Sequence, residues 1–105
     1  MKIPYHPPIE SVTLTKVLQA LSEPNRAKIV RCLRDTHENN CTHYTLQLQL
    51  PKSTVSHHIK VLREAGLIQA RIVGKEHFYS IRTEEIEGKF PGLLDAIGKV
   101  NEEDL

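Results

Sequence analysis

The stretch from Lys52 to Gly66, KSTVSHHIKVLREAG, constrains this chain more than any other. Pro51 forces a break before it. Gly66 can close it by leaving a helix in the left-handed conformation. At about 100° per residue, Val55, Ile59 and Leu62 fall on one side of a helix. Ser53, Ser56, His57, Lys60 and Arg63 fall on the other, with Glu64 off that stripe. Ser53 is expected to cap the helix start. One side can be buried in a core. The other offers hydroxyls, an imidazole and cations, without a carboxylate. A small, donor-rich, positive helix face is what the major groove of DNA accepts.

Charge along the chain agrees. Net charge is only +1 over 105 residues. Residues 52–82, however, hold six Lys/Arg against two Asp/Glu, whereas residues 83–105 hold two against seven. Cations thus concentrate on the helix and the stretch after it, as a nucleic-acid footprint requires. The length suits one small domain, to which a dimer interface would add useful core. The two cysteines, Cys32 and Cys41, do not make a disulfide framework. Apolar runs of about 18 residues are absent, as is a signal-peptide pattern. A soluble cytoplasmic protein with reduced thiols and no membrane partner is expected.

In chain order, residues 1–9 carry Pro4, Pro7 and Pro8 and are expected to form an extended arm. It either packs on the domain or a partner subunit, or frays. Residues 10–100 make the domain, and 101–105 an acidic tail. Leu14, Val17, Leu18 and Leu21 predict a helix from about Glu10 to Leu21. Ser22 is expected to cap a second helix that runs to about Asp35, with Glu23 and Pro24 in its first turn and Ile29, Val30 and Leu33 buried. Arg26, Lys28, Arg31 and Arg34 ring its remaining surface, either solvated or touching DNA phosphates. Thr36 to Asn40 reads as a polar loop. In residues 41–50 Leu46, Leu48 and Leu50 alternate with glutamines, a strand signal by period. A helix-turn-helix instead needs a short helix at about 42–48, with Leu50-Pro51-Lys52 as the turn, and that is the expectation adopted. Residues 67–73 and 76–81 are strand-like runs joined by Gly74-Lys75, a hairpin signal. A basic hairpin after such a helix is a wing. Thr83 is expected to cap a single turn over 83–88. Phe90, Leu93, Leu94 and Ile97 then predict a last helix over about 91–100, which pairs most naturally with the first helix and a second subunit.

These features together resemble the ArsR/SmtB family of winged-helix transcriptional repressors. The resemblance is carried by Ala20-Leu21-Ser22-Glu23-Pro24-Asn25-Arg26, by Ser53 through Ile68, and by Gly74, Lys75 and Tyr79 of the hairpin. It spans about residues 12–82. It implies a mainly α fold with a β-hairpin wing, a winged helix-turn-helix that dimerises through its first and last helices. It also implies operator binding that represses transcription, often relieved by a metal ion. The metal part does not carry over. Asn40 and Thr42 hold the positions of the common Cys-x-Cys sensor, with Cys41 between them. Residues 91–105 contain no His or Cys, and Asp95 and Glu102 to Asp104 do not make the family's terminal-helix sensor.

The residues expected to touch DNA are therefore Lys52, Ser53, Thr54, Ser56, His57, Lys60 and Arg63 from the helix, and Arg71, Lys75 and His77 from the wing. The helix has no Asn or Gln for a bidentate adenine contact, so the sequence it reads does not follow. His58, beside Leu62, reads either as a DNA or metal contact or, the expectation adopted, as a partly buried histidine that holds a backbone group. Cys32, His37, Cys41 and His43 are donors suited to zinc or copper. Cys41 and His43, two apart, would not share a helix face. Cys32, at the margin of an apolar face, reads as a small hydrophobe. No cofactor is expected. Catalytic groupings are missing, which sets the enzyme class aside. The reading is a dimeric regulator, probed against two others: a thiol- or metal-responsive sensor built on Cys41 and nearby histidines, and a winged-helix protein-interaction module.

Overall fold

The computed structural model describes residues 4–36, 38–40 and 47–105. These form helices α1 (Leu14–Leu21), α2 (Pro24–Thr36), α3 (Lys52–Glu64), α4 (Thr83–Lys89) and α5 (Leu93–Lys99), and strands β1 (Asn39–Asn40), β2 (Ile68–Val73) and β3 (Glu76–Ile81). Short 3₁₀ turns lie at Ile9–Ser11 and Glu102–Asp104. The sheet is antiparallel in the order β1-β3-β2.

One core joins every layer. Val55, Ile59 and Leu62 of α3 meet Val17 of α1, Ile29 and Leu33 of α2, Leu67 and Ile68 at the start of β2, and Ile86 of α4, all of them buried. The apolar side expected for α3 is thus its core side. Its far end is closed by a paired set of hydrogen bonds. Gly66 N donates to Arg63 O at 3.0 Å and Leu67 N to Leu62 O at 3.1 Å. This is the Schellman arrangement, with Leu62 and Leu67 as its apolar contact. Gly66 takes φ +91°, and a Cβ there would lie 2.3 Å from Val12 Cγ2.

Helix starts differ from expectation. Ser53 lies inside the first turn of α3, because Pro51 already stands at the cap position, without a side-chain bond. Ser22 belongs to the end of α1, where its hydroxyl donates to Gln19 O. The cap of α2 is instead Glu23, whose carboxylate accepts from Arg26 N at 3.2 Å, with Pro24 as first helical residue. Thr83 makes no cap, and its hydroxyl turns back to Ile81 O. The first helix begins at Leu14 rather than Glu10, since Thr13 accepts from Lys16 N and fixes the start there. Of its expected stripe, Val17 is buried, but Leu14 and Leu18 remain 47% and 49% exposed.

The helix expected at 42–48 falls mostly on residues 41–46, which lie outside those described. Gln47 and Leu48 are helical. Gln49 then takes φ +56°, so the turn sits at Gln49–Pro51, one residue earlier than expected. The polar loop also differs. Asn39 and Asn40 pair with Tyr79 and Phe78 and add a third strand to the hairpin. Sequence periodicity cannot show this, because two asparagines carry no strand pattern. Backbone groups on the open side of β3 hold them. The hairpin itself is as expected. Gly74 at φ +61° and Lys75 form its two-residue turn between Val73 and Glu76.

The terminal elements are fastened by cations. Lys89 Nζ donates to the carbonyls of Ile9, Glu10 and Val12. Arg31 donates to Val100 O, and Arg34 meets Asp95 at 3.0 Å. Cations of α2 expected to be solvated or to face phosphates thus tie α2 to the last helix.

Gly66→Ala should destabilise the fold by about 2–4 kcal/mol, from left-handed strain and the clash with Val12. Thermal unfolding should show a midpoint lower by roughly 10 °C or more. A drop below about 2 °C would show that Val12 yields freely.

Candidate nucleic-acid interface

Because α3 is locked into the core along Val55, His58, Ile59 and Leu62, its opposite side is fixed in direction. Lys52, Ser53, Ser56, His57 and Lys60 are exposed on that side, and Thr54 is half-buried. Lys60 leans toward Glu64, Nζ to carboxylate 3.9 Å, with its side chain 65% exposed. Such an exposed pair is worth only a few tenths of a kcal/mol, so Lys60 is available to a stronger anion.

Arg63 differs. It is half-buried, and its Nε donates to Tyr5 O at 3.1 Å, so it stands at the seam with the N-terminal arm. Arg71 differs too. Glu38 grips it through two hydrogen bonds of 2.7 and 3.1 Å, and its guanidinium lies 5.4 Å from the Phe78 ring centre. That clasp holds the Glu38 carboxyl below its usual range and raises Arg71. At the hairpin tip Lys75 and His77 are exposed. The expected DNA set is therefore split. A helix row and the wing tip face solvent, while Arg63 and Arg71 are engaged within the chain.

His58 holds side chains, not the backbone group expected. Its Nδ1 lies 3.4 Å from Arg26 Nη1, and its Nε2 3.5 Å from the Glu23 carboxylate. Arg26 also donates to Ala20 O at 2.6 Å. The network joins the α1–α2 corner to α3. Burial lowers the proton affinity of His58, outweighing the pull of Glu23. Arg26, expected to be solvated or to touch DNA phosphates, instead binds within the chain, whereas Glu23 and Glu38 were not expected at the site, and Glu38 had no local signal because its partner lies 33 residues away.

Cys32 is half-buried, with Sγ 3.5 Å from Gln47 Oε1. His37, Cys41 and His43 lie outside the described residues. Among the described residues, no group of three or more His, Cys, Asp or Glu is placed to hold a metal. Nor is any described helix long and apolar enough to cross a membrane.

A turn leading into a core-locked helix with an exposed polar, cationic row, followed by a hairpin wing, is the geometry of winged helix-turn-helix DNA-binding regulators. The model of bacterial regulatory proteins of the arsR family matches residues 23–70. The chain is 30% identical over 102 residues to the HTH-type transcriptional repressor SmtB of Mycobacterium tuberculosis, covering 95% of this chain and 72% of that one. It is 37% identical over 73 residues to the transcriptional repressor PagR of Bacillus anthracis, covering 70% and 73%. The crystal structure of PagR superposes with a TM-score of 0.66 at 30% identity, over 83% of this chain and 91% of that one. This chain belongs to the ArsR/SmtB family of transcriptional regulators. It is a DNA-binding regulator and not an enzyme.

The lowered proton affinity of His58 has a stability consequence. The unfolded chain takes up the proton first, so stability present above the ordinary imidazole range is lost as pH falls through it. Urea midpoints should therefore fall less steeply for His58→Gln than for the wild type between about pH 7.5 and 5.5. Parallel curves would show that His58 does not feel its burial.

Proposed function

We propose that this chain represses transcription as a homodimer that reads an inverted-repeat operator. Each subunit sets α3 in a major groove, with the wing along the flanking backbone. The observation that carries this reading is the exposed row Lys52, Ser53, Ser56, His57 and Lys60, on a helix whose other side is immobilised. A fixed helix loses little entropy on docking. Hydroxyls early in the helix suit phosphates and base edges, and Lys60 and His57 suit guanine or phosphate. Lys75 and His77 complete the contact from the wing.

Dimerisation through the first and last helices is supported by Leu14 and Leu18. They are large, apolar and about half exposed on one side of α1. On α5, Leu93 and Ile97 are half-buried at the margin of the core, leaving part of each accessible. A two-fold dimer of this kind requires half-sites about one turn apart, roughly 34 Å, or a multiple of it.

Three measurements test the reading. Duplexes enriched from a random library should carry an inverted repeat, and enrichment of a single unrepeated site would sink the symmetric model. Lys60→Ala should weaken binding by about 1–3 kcal/mol if it reads a base, or flatten the salt slope by about one if it meets a phosphate. Either way its thermal midpoint should stay near the wild-type value. Unchanged affinity and salt slope would remove Lys60 from the interface. Leu14→Glu with Leu18→Glu should yield monomers in sedimentation at micromolar concentration. Persistent dimers would place the interface elsewhere.

A further inference from the structure

The N-terminal arm touches both elements assigned above to DNA, and each touch is polar and specific. Tyr5 O accepts from Arg63 Nε of α3 at 3.1 Å. His6 Nε2 accepts from Ala70 N of β2 at 2.9 Å. Pro7 O accepts from Arg82 Nη1 at 2.8 Å, just past the end of β3. Three consecutive residues thus bond the reading helix, the wing's first strand and the wing's exit. Pro7 is buried, and Pro8 holds φ −62° and ψ 144°, an extended and already restricted backbone.

The His6 contact is unusual in kind. Among the described residues β2 is an edge strand, bonded to β3 alone. The Ala70 N–H on its open side meets an imidazole where a further strand would place a carbonyl. An imidazole nitrogen accepts only while it carries no proton. A proton from solvent on Nε2 takes the lone pair that holds Ala70, and the bond must break. The groups facing His6 oppose that proton. Arg63 approaches from α3, and Arg82 from the junction of β3 and α4, its own charge clasped by Glu85 through bonds of 3.0 Å. Burial and these two cations lower the proton affinity of His6. The contact is therefore made at neutral pH and lost on acidification.

We propose that Tyr5, His6 and Pro7 form a strap that fixes the wing relative to the reading helix, with His6 as a positioning residue for DNA binding whose protonation opens the strap. With the strap closed, the helix row and the wing tip meet DNA as one rigid surface. With it open, the wing must be ordered during binding. The inference rests on the reading that both elements contact DNA.

The test compares the wild type with His6→Gln, whose amide oxygen accepts from Ala70 without titrating. Two readouts are followed between about pH 7.5 and 5.5. The first is hydrogen-exchange protection of the Ala70 amide by NMR. It should fall in the wild type and hold in His6→Gln. The second is affinity for the duplex enriched by the wild type, or for mixed-sequence duplex. The wild type should lose about fivefold relative to the variant, the worth of one hydrogen bond. His57, His58 and His77 are present in both proteins, so their titrations cancel in the comparison. Flat Ala70 protection in the wild type overturns the strap, and needs no variant to be read. Falling protection with parallel affinities overturns the positioning role. Absence of DNA binding at both pH values overturns the function proposed above and the positioning role with it, while the Ala70 amide still reports on the strap.

Discussion

The packing of α3 on its apolar side is the contact on which the rest depends. Val55, Ile59 and Leu62 are each nearly or wholly inaccessible, and residues from α1, α2, β2 and α4 close over them. Burying three such side chains contributes roughly 5–9 kcal/mol before entropy is counted, comparable to the whole stability of a small domain. One helix side thus serves as the centre of the core while the other is given over to polar chemistry. The Gly66 closure makes this division sharp. It stops α3 one turn short of the wing and lets Leu67 and Ile68 enter the same core, so helix and hairpin share a foundation.

Much of this was legible because it is local. A stripe at helical spacing, a proline before it and a glycine after it specify an amphipathic helix and its ends. Gly-X between two strand-like runs specifies the hairpin turn. Caps were less legible, since Ser22, Ser53 and Thr83 all have the right chemistry but Glu23, Pro51 and Arg82 occupy the cap positions. A hydroxyl is a candidate wherever it occurs, and a one- or two-residue shift in the helix start transfers the role to a neighbour.

The long-range ties were not legible at all. Glu38 with Arg71, His6 with Ala70, and Arg31 with Val100 join segments 33, 64 and 69 residues apart. Nothing in the spacing of these residues signals the pairing, because the fold alone brings them together. The exposure of Leu14 and Leu18 is similar. Their spacing is that of a core stripe, and only the packed monomer distinguishes a side buried within the chain from one left for another surface. The family resemblance supplied that distinction as an expectation, which periodicity could not.

The clasp between Glu38 and Arg71 has a consequence for how affinity is divided between wing and helix. A guanidinium already paired with a carboxylate releases few counterions on meeting a phosphate, so it adds little to the sequence-blind attraction that any duplex exerts. In the proposed complex the base-reading residues of α3 are untouched by that pairing. In that complex the clasp lowers the phosphate share of affinity for operator and ordinary DNA alike. A two-residue strand that brings one acid to the wing thereby shifts the weight of recognition from wing phosphate contacts toward the base-reading helix in the proposed complex, and flattens its salt dependence.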